Sequence, residues 1–205
     1  MHDKIINIAQ ELFLLRGIRS VTMDEIAAEA GISKRTLYET FANKEDLLEK
    51  LLEHIWAEHR KIVRQIIDRT PSCLVGILNI LKYVTEQNKD ELTAKSRECF
   101  FIDLQKFYPK VAKKNKEYLD LYLSFMAKHL EKGLEQKTVR NDLNLNLIST
   151  LLVAQIEGLH NSKAIKQFHP REIFTTLVIS FCRGISTQKG LKEIENFVTE
   201  NKAYI

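Results

Sequence analysis

The chain is 205 residues long, with hydrophobic residues at 44% and charged residues at 28%. That composition is ordinary for a globular protein, and the length suits one large domain or two small ones around a sizeable core. The net charge of +4 is too small to mark a nucleic-acid partner by itself. With 7 glycines and 3 prolines, the chain favours long helices and short loops. Cys73, Cys99 and Cys182 are far apart and odd in number. They argue against a disulfide framework or a zinc site, and they fit a reducing cytoplasm. The first residues carry an amphipathic pattern rather than a signal peptide, and no uncharged apolar stretch is long enough to span a bilayer. A cytoplasmic location is the expectation.

Ile5, Ile8, Ala9, Leu12 and Phe13 recur at helical spacing over 2–16, and Gly17 ends this first helix. Thr22 opens a second helix, about Met23 to Ala30, and stands at capping-box spacing from Glu25, with Val21 and Ile26 flanking it as a hydrophobic staple. Gly31 follows and is free to take the left-handed conformation that a tight interhelical turn needs. Ser33 caps a third helix, about Lys34 to Phe41, whose Leu37 and Phe41 form an apolar i, i+4 pair. Arg35, Thr36 and Glu39 then point most nearly outward, with Tyr38 and Thr40 on the flanks. Asn43 caps a long fourth helix from Lys44 to Arg69, with Glu45 and Asp46 in its first turn, where the positive helix end favours acids. Helical periodicity continues near 72–87, 91–106, 110–136, 144–165, 170–187 and 189–200, and no alternating β segment with hairpin signals interrupts it. The predicted fold class is all-α.

Two short helices joined by a glycine-containing turn read as a helix-turn-helix, which makes DNA the leading partner. The leading end of such a third helix reaches base edges in the major groove. Lys34 and Arg35 can read guanine or hold phosphate, and Ser33, Thr36, Tyr38 and Thr40 offer hydroxyls to either. Lys44, at a helix N-terminus, is placed to hold a phosphate, and Thr22 either does the same or serves as a cap alone. Glu39 would be repelled by phosphates. It either accepts from cytosine N4 or faces solvent, and solvent is the preferred reading. Residues 1–50 carry 7 Lys and Arg against 9 Asp and Glu, a net charge of −2. Affinity must therefore rest on a few locally placed cations rather than on a bulk field.

The remaining candidates read more blandly. Lys106, Lys110, Lys113, Lys114 and Lys116, interleaved with Phe107 and Tyr108, are best taken as a solvated face. The histidines form no convincing metal-ligand set, and no P-loop, G-x-S-x-G or H-E-x-x-H is present, so neither a metal, a cofactor nor an enzyme is expected. Leu143 to His160 and Ile173 to Phe181 are strongly apolar and are either interior core or a dimer interface. A dimer is preferred because two-fold symmetry lets two reading helices meet half-sites about 34–36 Å apart.

The stretch VTMDEIAAEAGISKRTLYETFANKEDLL, with Ala9, Leu12, Phe13 and Gly17 before it, resembles the DNA-binding signature of the tetracycline-repressor (TetR) family of bacterial transcriptional regulators. The match joins the helix-turn-helix to Tyr38, Phe41, Asn43-Lys44 and Leu47-Leu48 at family spacing. Glu39 and Thr40 depart from the common pattern, in which an aromatic or basic residue precedes His or Tyr. The resemblance implies a DNA-binding domain over 1–48 and a helical ligand-sensing and dimerisation domain over 49–205, pairing through helices near 144–165 and 170–187. By position it assigns DNA contacts to Thr22, Ser33, Lys34, Arg35, Thr36, Tyr38, Thr40 and Lys44. It also implies a small-molecule effector, for which Trp56, Tyr83, Phe100, Phe101, Tyr122, Met126 and Gln155 are pocket candidates beside their plainer reading as core. The expected function is a repressor released from a palindromic operator by that effector. A dimeric regulator without an effector, constitutive or activating, is the alternative, and a helical enzyme or carrier a remote one.

The charge count yields a first prediction. The slope of log K against log salt for DNA binding should correspond to a few phosphate contacts per protomer, at about −0.9 per contact. A slope equivalent to ten or more contacts per protomer would contradict it and bring the 106–116 lysines to the DNA.

Overall fold

A computed structural model describes residues 1–86, 91–161 and 168–202, without the side chains at 91–94, 153, 155–161 and 170. Among the described residues the secondary structure is helical apart from one isolated bridge between Val139 and Ser186. The elements are α1 (His2–Arg16), α2 (Met23–Ala30), α3 (Lys34–Thr40), α4 (Lys44–Arg69), α5 (Cys73–Glu86), α6 (Glu91–Phe107), α7 (Pro109–Glu135), α8 (Leu145–Asn161), α9 (Pro170–Ile173), a π-helical turn (Phe174–Ile179), α10 (Ser180–Ile185) and α11 (Gln188–Glu200). The chain forms an all-α fold, as the periodicity predicts, and α4 keeps its predicted bounds.

One compact unit comprises Met1–Arg60 with Leu92–Leu119. Its core joins Ile5, Ala9 and Phe13 of α1 to Ile26 and Ala27 of α2, Leu37 of α3 and Leu47, Leu48 and Leu51 of α4. Phe100 and Leu104 of α6 and Val111 of α7 complete it. The second unit comprises Lys61–Glu91 with Asp120–Ile205. Here Leu74, Ile77 and Leu81 of α5 pack with Met126 and Leu130 of α7, Phe174 and Ile179, and Ile194 and Phe197 of α11. The start of α11 is pinned by backbone pairing, with Arg140 donating to the Ile185 carbonyl and Thr187 to that of Thr138, both at 2.9 Å. Gly190 lies so close that a Cβ there would stand 2.2 Å from the Thr138 carbonyl oxygen, so only glycine fits.

The periodicity predicts one helix over 170–187. The structure instead widens it to π geometry at Phe174–Ile179. An i to i+5 turn brings Phe174 and Ile179 to one side, and both are completely buried. Core packing, not local propensity, decides this register. Burial pushes the Cys73 and Cys182 thiols up to about 12, so both stay protonated. No helix among the described residues is long and apolar enough to cross a membrane.

His129 is buried at 5% exposure, and its Nε2 lacks a hydrogen-bond partner. That nitrogen faces Gly76, where a Cβ would stand 3.1 Å from it. Burial first, and Lys132 second, hold its imidazole below the usual range, so the fold keeps it neutral. Burial also lowers His59. The unfolded chain then binds more protons than the folded one once the pH falls below about 6.5. This stability is present above that pH and is lost as the pH falls through the lowered values. The melting temperature should drop between pH 7.5 and pH 5.5, and His129→Met should shrink that drop. A drop of the same size in parent and variant would contradict the assignment to His129.

Candidate nucleic-acid interface

Helix α3 is seven residues long, too short to persist without support. Leu37 and Phe41 are both fully buried and fix one side of it to the core. Gly31 sets its angle to α2. With φ at 69° it is left-handed, its N–H donates to Ala28, and Ile32 N–H donates to Ala27, a Schellman termination of α2. Lys4 of α1 donates from Nζ to the Ala30 carbonyl at 3.0 Å, placing a cation at the negative end of α2.

The caps of α2 and α3 both form. Thr22 Oγ1 accepts from Glu25 N–H at 3.2 Å while Glu25 Oε2 accepts from Thr22 N–H at 2.7 Å. The Thr22 backbone bond, ahead of its side-chain bond, holds the Glu25 carboxyl below the usual range. Ser33 Oγ accepts from Thr36 N–H at 3.1 Å and pairs with Thr36 Oγ1 at 2.8 Å. Thr40 turns back, donating to the Thr36 carbonyl at 2.9 Å. Asn43 Oδ1 accepts from Asp46 N–H, and Asp46 Oδ2 from Ala42 N–H, each at 2.9 Å, which locks the turn into α4.

The cations are held by acids. Lys34 pairs with Asp24 of α2 at 2.5 Å, and Arg35 Nε donates to Glu39 Oε1 at 2.9 Å. Lys34 and Arg35 are exposed, and Tyr38 is 50% exposed. Lys44 sits apart from them. Its Nζ donates to the Val21 carbonyl and lies over the Phe13 ring, and burial lowers its pKa against the opposing pull of Asp103 and Glu25. An ammonium has three donors, so this bond does not exhaust it. Thr22, Ser33, Lys34, Arg35, Thr36, Tyr38, Thr40 and Lys44 thus all belong to one unit, around one short helix and its two neighbours.

Sequence reading misses Lys4 and Asp103. Asp103 of α6 accepts from Arg19 N–H at 3.3 Å beside Gly17, across 84 residues, so no local spacing announces it. The pocket candidates divide between the units. Trp56, Phe100 and Phe101 belong to the first and Tyr83, Tyr122 and Met126 to the second. Trp56 Nε1 donates to Asn115 at 2.9 Å, Phe100 joins the core, and Phe101 is exposed. Tyr122 and Met126 pack in the second unit's core, where burial raises the Tyr122 phenol. The Gln155 side chain lies outside those described. A separate open groove of about 260 Å³ between α7 and α8 is lined mainly by Asp120, Ser124, Asn146, Ser149 and Thr150. No cluster of metal-ligating side chains occurs among the described residues.

Residues 5–51 match the family model for bacterial regulatory proteins, tetR family. The uncharacterised HTH-type transcriptional regulator YvkB of Bacillus subtilis is 26% identical over 90% of this chain and 97% of its own length. The HTH-type transcriptional repressor KstR2 of Mycobacterium tuberculosis is 26% identical over 71% of this chain and 72% of its own. Among solved structures, the regulator FadR of Bacillus subtilis, in complex with stearoyl-CoA, superposes with a TM-score of 0.75 at 18% identity, over 90% of this chain and all of that one. This last likeness is one of fold.

The packing of α3 gives a mutational contrast. Leu37→Ala should cost about 2–5 kcal/mol of unfolding free energy. Tyr38→Ala, half exposed, should stay within about 0.5 kcal/mol while weakening DNA binding. Denaturant titration followed by circular dichroism checks both, and equal destabilisation by the two would contradict the assignment of faces.

Proposed function

The chain belongs to the tetR family of bacterial regulatory proteins through its residues 5–51, and from that premise we propose that it is a homodimeric repressor that leaves its operator when a small molecule binds. The observation that carries the DNA reading is the outward face of α3. Lys34, Arg35 and Tyr38 are exposed there, with Thr36 partly exposed, on a helix whose other side is fixed by Leu37 and Phe41. Ser33 and Thr22 hold the two helix starts, and Lys44 braces the junction behind them.

The dimer reading draws support from α8, which leaves Leu147 and Leu151 exposed one turn apart, at 55% and 43%. Thr176, Ser180 and Gly184 repeat at four-residue spacing, are exposed, and are small enough for a partner helix to approach closely. We assign residues 1–48 to DNA and 49–205 to dimerisation and sensing. The effector reading draws on the family and on FadR, which was solved with stearoyl-CoA. Tyr83, Tyr122 and Met126 are the effector-facing candidates of the second unit. Release requires that the effector bind the DNA-free arrangement more tightly than the DNA-bound one. Because α4 carries residues of both assignments, a shift in the sensing part changes the spacing of the two reading helices.

Replacing both Lys34 and Arg35 by Ala should reduce affinity for a bound promoter fragment at least tenfold at constant salt, with the fold intact. Unchanged affinity would refute the DNA-reading role. In a thermal-shift screen of metabolites, a ligand that stabilises the chain should also release the DNA. A stabilising ligand that leaves the complex intact would favour a regulator without an inducer.

A further inference from the structure

The ion pair on the reading helix is hard to explain as a stabiliser of that helix. In α3, Lys34 and Arg35 occupy the first turn and Glu39 the last. A helix favours acids at its N-terminus and bases at its C-terminus, and an i, i+4 pair is better with the acid first. This pair has both charges at the wrong ends. It is also solvent-exposed, at 88% for Arg35 and 60% for Glu39, where such pairs contribute little.

What the pair does is orient. Glu39 Oε1 takes the Nε–H of Arg35, the inner donor of the guanidinium. The terminal nitrogens, with four N–H groups between them, have no protein partner among the described residues. Those two nitrogens are the fork that matches guanine O6 and N7 in the major groove. An exposed arginine samples many rotamers, and ordering it on binding costs conformational entropy. A carboxylate one turn along the helix biases the guanidinium toward one orientation beforehand. Lys34 is drawn instead toward Asp24 on the neighbouring helix, so Arg35 is the cation that this pair leaves presented.

We propose that Glu39 is a positioning residue for sequence readout, holding Arg35 by its Nε so that the free fork reads the guanine of one G·C pair in each half-site. The same carboxylate sharpens discrimination. When the fork finds no guanine, the Glu39 carboxylate still faces phosphates and base acceptors, and no base contact offsets that repulsion. Glu39 therefore lowers general DNA affinity while raising preference at one base pair. This inference rests on the DNA-reading role proposed above.

The test uses the 205-residue chain. Parent protein first selects sites from a random-sequence duplex library, and each base pair of the selected half-site is then replaced in competition binding at fixed salt. The parent should lose roughly tenfold or more on replacement of one G·C pair. Arg35→Ala should make that position indifferent. Glu39→Ala should reduce its discrimination to about twofold while binding to non-specific DNA stays equal or tightens. Glu39→Gln, which keeps an acceptor oxygen, should recover part of the preference. Glu39→Ala added to Arg35→Ala should change nothing further at that position. Thermal unfolding of Glu39→Ala should be unchanged or slightly higher, whereas a purely structural pair would lower it. Undiminished discrimination in Glu39→Ala, or effects of Glu39 and Arg35 on different base pairs, would overturn this inference alone. A parent chain that enriches no sequence would overturn the DNA-reading role itself, and this inference with it.

Discussion

A seven-residue helix has almost no stability of its own, and the placement of α3, the proposed reading helix, depends on that constraint. Its position is set by what it buries. Leu37 and Phe41 are completely enclosed, and the side chains around them come from α1, α2 and α4 and from α6 and α7 of the same unit. The Schellman turn at Gly31 and the two side-chain caps then fix the direction of the helix. Rigid placement of a few side chains on a scaffold of this kind is what recognition of base edges requires, since a small misplacement breaks a bidentate contact.

The electrostatics of the same surface follow a second logic. Residues 1–50 are net negative, yet they carry the segment proposed to read DNA. Without DNA, Lys34 and Arg35 are matched to Asp24 and Glu39. On the proposed reading, DNA phosphates compete with Asp24 for Lys34 and meet the exposed carboxylate of Glu39, which weakens general binding and gives specific contacts more weight. For the repressor proposed above, weak general binding leaves less free energy for an effector to overcome.

Much of this was legible in the order of residues. Thr22 with Glu25, Gly31, Ser33 and Asn43 each announce a helix end by local chemistry, and each performs that role in the structure. The Leu37 and Phe41 spacing marks the buried side of α3 because helical periodicity is a local property. What escaped the sequence is long-range. The bonds of Lys4 to Ala30, of Lys44 to Val21 and of Arg19 to Asp103 span 26, 23 and 84 residues. Phe100 serves the core of the first unit, although its sequence context offers no sign of that. The π turn at Phe174–Ile179 escaped as well, because its register answers to the core it fills. The partners of Lys34 and Arg35 were also missed, since periodicity gives the direction of a side chain but not the hydrogen bond it makes.

The surface proposed to meet DNA is α3 with its two flanking helix ends. Hydrogen–deuterium exchange of the 205-residue chain, free and bound to a DNA fragment it recognises, tests this directly. Added protection should concentrate on residues 22–44, across α2, α3 and the start of α4. DNA-dependent protection confined to the lysine-rich 106–116 segment, with residues 22–44 unchanged, would contradict it.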